Sequence, residues 1–288
     1  GGGGRSAQDF HADATHGKFD TRVVGPENQL CFNNAAGQMH GPPTSDYEDE
    51  TAHLSRIQAK ATNKTLLRNL RSPNLNSDLL SNLIETLLDQ MDVVNIATVL
   101  FHAGKRLIPL RRSLLVRFAQ RMEMRTYQMG SREISNALYG MRSMSSNTPE
   151  VRQLVAAIAF QVSSGNESYT AQAVGNMLYG LQNMSTDSLE VRQLLAALSE
   201  KIGNCSEPLE PQNIGNALYG LRNVMSNKVE TRALLKELTL LIEGCTSEFN
   251  GQSLGNSMYG MQGMSYYHNE VLELCTALAK KIELMAES

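Results

Sequence analysis

The chain is 288 residues long, with a formal net charge of −3 and 41% hydrophobic residues. That length is too great for one small core, and the wholly apolar stretches fall far short of the ~20 residues that a membrane span needs. The charge is uneven: residues 1–50 hold 3 basic and 8 acidic side chains, residues 51–130 hold 12 and 5, and residues 131–288 hold 11 and 16. Nucleic-acid binders carry a basic face, and only the middle segment has that balance.

Residues 1–50 open with four glycines and show neither strand nor helix periodicity, which predicts a disordered or loosely attached tail. Gly1 is not a methionine, and the last helical pattern runs to Ser288 without a polar capping unit, so the chain is expected to be a piece of a longer protein. Residues 51–130 read as degenerate, basic helix pairs, the first over about 54–70 and 77–91. Residues 131–288 read as four regular repeats. In the first of these, Ile134, Ala137, Leu138, Met141 and Met144 take the spacing of one helix face. Thr148 and Pro149 then mark the start of a second helix, which buries Val151, Leu154, Val155, Ile158 and Val162.

The pattern Asn-x-Leu/Met-Tyr-Gly closes each first helix, and its Tyr-Gly step falls at Tyr139, Tyr179, Tyr219 and Tyr259, 40 residues apart. A fixed period of this size marks stacked repeats that bury their apolar faces only against neighbours. With two helices per period, the expected fold is all-α: an α-solenoid of stacked antiparallel helix pairs with a 40-residue period, six pairs in all. Leu138, Leu178, Leu218 and Met258 should be buried. Such folds make long surfaces rather than catalytic clefts. Neither a phosphate loop, a HExxH pair nor a nucleophile elbow occurs, so no enzyme activity, cofactor, metal or small-molecule substrate is expected. The four cysteines have neither disulfide-framework nor zinc spacing, which points to a reducing, intracellular setting.

The elements SNALYG (135–140), GNMLYG (175–180), GNALYG (215–220) and GNSMYG (255–260) resemble the octotricopeptide repeat, an α-solenoid unit whose first helix carries Ala-Asn-x-Leu-Trp-Ala. Tyrosine stands for the tryptophan in every copy, and the period is longer than the family's. The resemblance implies an organellar factor, mitochondrial or chloroplast, that binds single-stranded RNA and acts in transcript processing, stability or translation.

Within the motif, the small residues read as close helix contacts. Asn136, Asn176, Asn216 and Asn256 read as ties between repeats, with base readers as the alternative. Tyr139, Tyr179, Tyr219 and Tyr259 read as inter-repeat filler, with a base-stacking ladder as the alternative. Specificity should come from what varies: Arg142, Gln182, Arg222 and Gln262 after the motif, then Asn183 and Asn223. Arg117, Arg121 and Arg125 share one helix face and are candidate phosphate contacts. The competing function is a protein-interaction scaffold, in which the same surface takes an extended protein segment.

Overall fold

The computed structural model describes residues 45–124 and 128–287, with side chains from 53 to 285. The expected tail lies almost wholly outside these residues, as do Arg125 and Cys31. The helix packing that follows lies within one unit, Asp49–Ser288.

The described residues are all-helical. The elements are α1 (Ser45–Leu70), α2 (Ser77–Leu87), α3 (Val93–Lys105), α4 (Arg112–Glu123), α5 (Ser131–Gly140) and α6 (Pro149–Ser164), followed by α7 (Ala171–Tyr179), α8 (Leu189–Ile202), α9 (Pro211–Gly220), α10 (Val229–Glu243), α11 (Gly251–Gly260) and α12 (Asn269–Glu287). They pack in two layers. In the first layer α3, α5, α7, α9 and α11 lie side by side in that order. In the second, α4, α6, α8, α10 and α12 do the same. Helix α1 extends the first layer, since the Asn95 amide on α3 donates to the Ala59 carbonyl at 3.2 Å. Helix α2 lies beside the start of α4, where Arg111 bonds Asp78 and Glu85.

The entry to each first-layer helix follows from its sequence. Met129, Tyr169, Leu209 and Phe249 are buried two residues before α5, α7, α9 and α11, each an apolar residue just outside the cap that fixes how the chain enters the helix. Thr170 and Asn250 cap α7 and α11 by accepting the N–H groups of Ala173 and Ser253. Gly130 has no capping side chain, and α5 is served instead by Glu167, which accepts the Ser131 N–H at 2.8 Å. Carboxylates suit this place because the helix N-terminus is positive.

The exit is set by glycine. A Cβ on Gly140, Gly180, Gly220 or Gly260 would collide with the backbone carbonyl of Leu100, Leu138, Leu178 or Leu218 in the preceding first-layer helix. Each glycine therefore holds two helix backbones in direct contact, which offsets its poor helix propensity. The small residue that opens the motif faces the other way. A Cβ on Gly175 would meet Asn213 Cα at 3.1 Å, and one on Gly215 would meet Ser253 O at 2.9 Å. Gly255 has nothing within 4 Å. Leu138, Leu178 and Leu218 are fully buried, but Met258 is 53% exposed, contrary to the sequence expectation. Among the described residues no further helix follows α11 in its layer to cover it.

Two ladders join successive units on the second-layer side. Ser146, Thr186 and Ser226 are buried, and their hydroxyls accept the N–H groups of Ser185, Met225 and Ser265 at 2.8–3.1 Å. Arg152, Arg192 and Arg232 reach Glu190, Glu230 and Glu270 at 3.6–3.8 Å. Each also donates to a loop carbonyl, that of Ser146, Thr186 or Ser226. The glutamate within ion-pair distance of each arginine thus lies one unit on.

Candidate functional site

One face of the first layer is built from a repeated register. The tyrosine that closes each helix stacks on its neighbours. Ring centroids are 5.6 Å apart between Phe101 and Tyr139, then 5.9, 5.8 and 5.5 Å along Tyr139, Tyr179, Tyr219 and Tyr259. The last three pairs lie within 24° of parallel. This spacing falls within the range in which aromatic rings contact each other. A base inserted between two rings would need their planes about 7 Å apart, twice the stacking distance of about 3.4 Å. The rings therefore fill the space between helices and do not form slots for bases. Cations sit on the same column: the Arg142 and Arg222 guanidiniums lie 4.6 Å from the Tyr139 and Tyr219 ring centres, and the Lys105 ammonium 6.0 Å from that of Phe101.

The asparagines do not tie the repeats. Asn136, Asn176, Asn216 and Asn256 are half-buried, yet none of their side chains makes a hydrogen bond among the described residues. The ties come instead from Asn183 and Asn223, which donate to the Arg142 and Gln182 carbonyls at 2.8 and 2.7 Å. Arg222 is also engaged, donating to Gln182 Oε1 at 2.8 Å and to Asn183 Oδ1 at 3.3 Å, and Gln182 is buried. Of the residues expected to read a ligand, Gln182, Arg222, Asn183 and Asn223 therefore knit the turns together. Only the exposed Gln262 is free of partners, while Arg142 keeps one buried N–H unpaired.

The expected phosphate clamp on α4 is likewise occupied. Arg121 donates to the Met91 and Asp89 carbonyls at 2.6 and 2.7 Å, and Arg117 lies 3.8 Å from the Asp89 carboxylate. These oxygens cluster just past the end of α2, where unpaired carbonyls draw cations.

The open groups lie one turn earlier on the first-layer helices. Arg132, Gln172, Gln212 and Gln252 are all exposed and stand four residues before the motif asparagine, hence on the same face. Their signal was in the sequence, in a helical step backwards from Asn136. At the α1 end, Asn63, Thr98, Phe101, His102, Arg132 and Asn136 line one pocket of about 310 Å³. The His102 pKa is held below its ordinary value, first by burial and then by Lys105, Arg71 and Arg106. A trough lined by Lys60, Asn63, Lys64, Leu67, Arg68 and Arg71 shares Asn63 and Leu67 with the surroundings of that pocket.

Charge is sorted between the layers. From residue 53 to the end of α1, and throughout α3, α5, α7, α9 and α11, the only acidic residue is Glu133. The basic residues of these helices include Lys60, Lys64, Arg68, Lys105 and Arg132. The acids of residues 131–288 lie otherwise in second-layer helices and connecting segments. Among the described residues no cluster of His, Cys, Asp or Glu could hold a metal ion, and no helix is long and apolar enough to cross a membrane. No family model, curated protein or solved structure matches the chain.

Proposed function

We propose that the chain is an α-solenoid of antiparallel helix pairs with a 40-residue period, and that its first layer binds single-stranded RNA. The helix starts at Ser131, Ala171, Pro211 and Gly251, and the short turns between the layers, support that architecture. By its resemblance to octotricopeptide proteins, the chain acts on organellar transcripts. The observation that carries the RNA reading is the sorting of charge. First-layer helices that carry one acid from residue 53 onward, unpaired amides along their length and a basic trough at the α1 end suit a polyanion with hydrogen-bonding bases. Phosphates run past Lys60, Lys64, Arg68 and Lys105 rather than past Arg117 and Arg121. Bases lie against the asparagine and glutamine columns.

The second reading, a protein scaffold, is favoured by one observation. Met258, Tyr259 and Leu272 are large apolar side chains left exposed on the last helix pair. Electrophoretic mobility shift of the full chain with a random single-stranded RNA pool separates the two. Under the RNA reading, a shifted band appears at micromolar protein and low salt, and Lys60→Glu with Lys64→Glu removes it. A protein that leaves the pool unshifted at low salt contradicts the RNA reading and leaves the scaffold.

A further inference from the structure

Three consecutive first-layer helices present the same open groups. Helix α7 offers Gln172 and Asn176, α9 offers Gln212 and Asn216, and α11 offers Gln252 and Asn256. In each helix the glutamine is exposed and the asparagine lies one turn on, half-buried or less, beside the tyrosine column. None of these six carboxamides makes a hydrogen bond among the described residues. The three helices are also in equivalent register, since their tyrosines stack at 5.8 and 5.5 Å. Helix α5 departs from the pattern with Arg132 and Glu133.

Identical groups in identical register cannot tell one position from the next, because discrimination requires a difference in affinity between ligands. They select a ligand that repeats with the same step. Neighbouring tyrosine rings stand 5.5–5.8 Å apart and packed helix axes about 8–10 Å, so the step from one helix to the next exceeds the 3.4 Å rise of stacked nucleotides in a duplex strand. It suits an opened single strand whose bases turn their edges to the helices.

The chemistry of the pair narrows the base. A carboxamide sets one donor beside one acceptor and pairs bidentately with adenine. Adenine carries two such edges, N6–H with N7 and N6–H with N1, which share one amino group. Two carboxamides a helical turn apart can engage both edges at once. Uracil has only its N3–H to donate, so two carboxamides would compete for it. Cytosine has a single edge of this kind. Guanine has two donor–acceptor edges, N1–H with O6 and N2–H with N3, but they share no common amino group and the second lies against the ribose; its N7 edge presents two acceptors, which suit arginine.

We infer that α7, α9 and α11 form three equivalent subsites for consecutive adenines in single-stranded RNA, each read by a Gln–Asn pair. This inference rests on the RNA reading above and adds the base to it.

The test is fluorescence anisotropy of the full chain with labelled oligoadenylate, oligouridylate, oligocytidylate and mixed-sequence RNA of about ten nucleotides. Oligoadenylate should bind about tenfold or more tighter than the others, the scale of one or more bidentate base contacts. Gln212→Ala should cut that preference severalfold and leave mixed-sequence binding nearly unchanged. Gln212 is exposed, so folding should not suffer, and Gln193→Ala on the outer side of α8 is the matched control. If mixed RNA binds as tightly as oligoadenylate, or if another homopolymer binds best, the adenine assignment fails while the RNA reading stands. If no RNA binds, both fail.

Discussion

At the level of single residues, the glycines of the repeated element have opposite consequences depending on what they face. Gly180 closes its element after the tyrosine, and Gly255 opens its element before the asparagine. A Cβ on Gly180 meets the Leu138 carbonyl, whereas one on Gly255 meets nothing within 4 Å. Gly180→Ala should therefore cost about 3 kcal/mol, the upper range for overpacking. Gly255→Ala should stabilise by roughly 0.5–1 kcal/mol through helix propensity. Urea unfolding of both variants checks the pair, and a loss of stability in the second would contradict the open face. Asn176 offers a second check. With its amide unbonded, Asn176→Ala should change stability by no more than about 0.5 kcal/mol, the usual size at surface sites; a loss of about 2 kcal/mol would restore the structural tie. His102 gives a pH signature. Its folded pKa lies below the ordinary 6.5, because burial and nearby cations disfavour the charged ring. The unfolded chain then binds more protons below that value, so this stabilising contribution is complete above 6.5 and is lost as pH falls towards the folded pKa. Urea midpoints across that range should fall less steeply with acid in His102→Gln than in the parent.

At the level of elements, what joins one helix pair to the next is polar as well as apolar. Thr186 is fully buried and accepts the Met225 N–H at 3.1 Å. Thr186→Val keeps the shape but orphans that donor, and should cost about 1–3 kcal/mol in a denaturant titration. Removing Arg192 should cost less, because its ion pair with Glu230 is partly exposed and spans 3.7 Å. The helices were legible in the sequence because their apolar spacing is strong and their entries carry Thr170, Pro211 and Asn250. The open polar column was not. Counting forward from the tyrosine leads to Gln182 and Asn183, but α7 ends at Tyr179, so helical spacing no longer applies there. Those side chains turn into the neighbouring units instead, Asn183 to the Arg142 carbonyl and Gln182 to Arg222. Counting back from Asn176 stays within the helix and reaches Gln172, which is open. Whether Arg121 meets a phosphate or a carbonyl depended on where α2 ends in space, which a helix-face count does not contain.

At the level of the whole molecule, the two layers divide the work. The second layer holds most of the acids and the ion-pair ladder, and the first holds the unpaired amides, the aromatic column and the basic trough. The net charge of −3 conceals this sorting, since an acidic total says little about first-layer helices that carry one acid from residue 53 onward. The central claim, that the first layer is an RNA surface, is tested most directly by the salt dependence of binding. The chain is titrated into labelled single-stranded RNA by anisotropy over a series of salt concentrations. With Lys60, Lys64, Arg68, Arg71 and Lys105 on phosphates, log K should fall against log salt with a slope of roughly −3.5. Lys60→Gln, Lys64→Gln and Arg68→Gln together should flatten it to roughly −1.5, while Arg117→Gln on the second layer should leave it unchanged. An unchanged slope in the first-layer variant, or a slope that follows Arg117, would contradict the account.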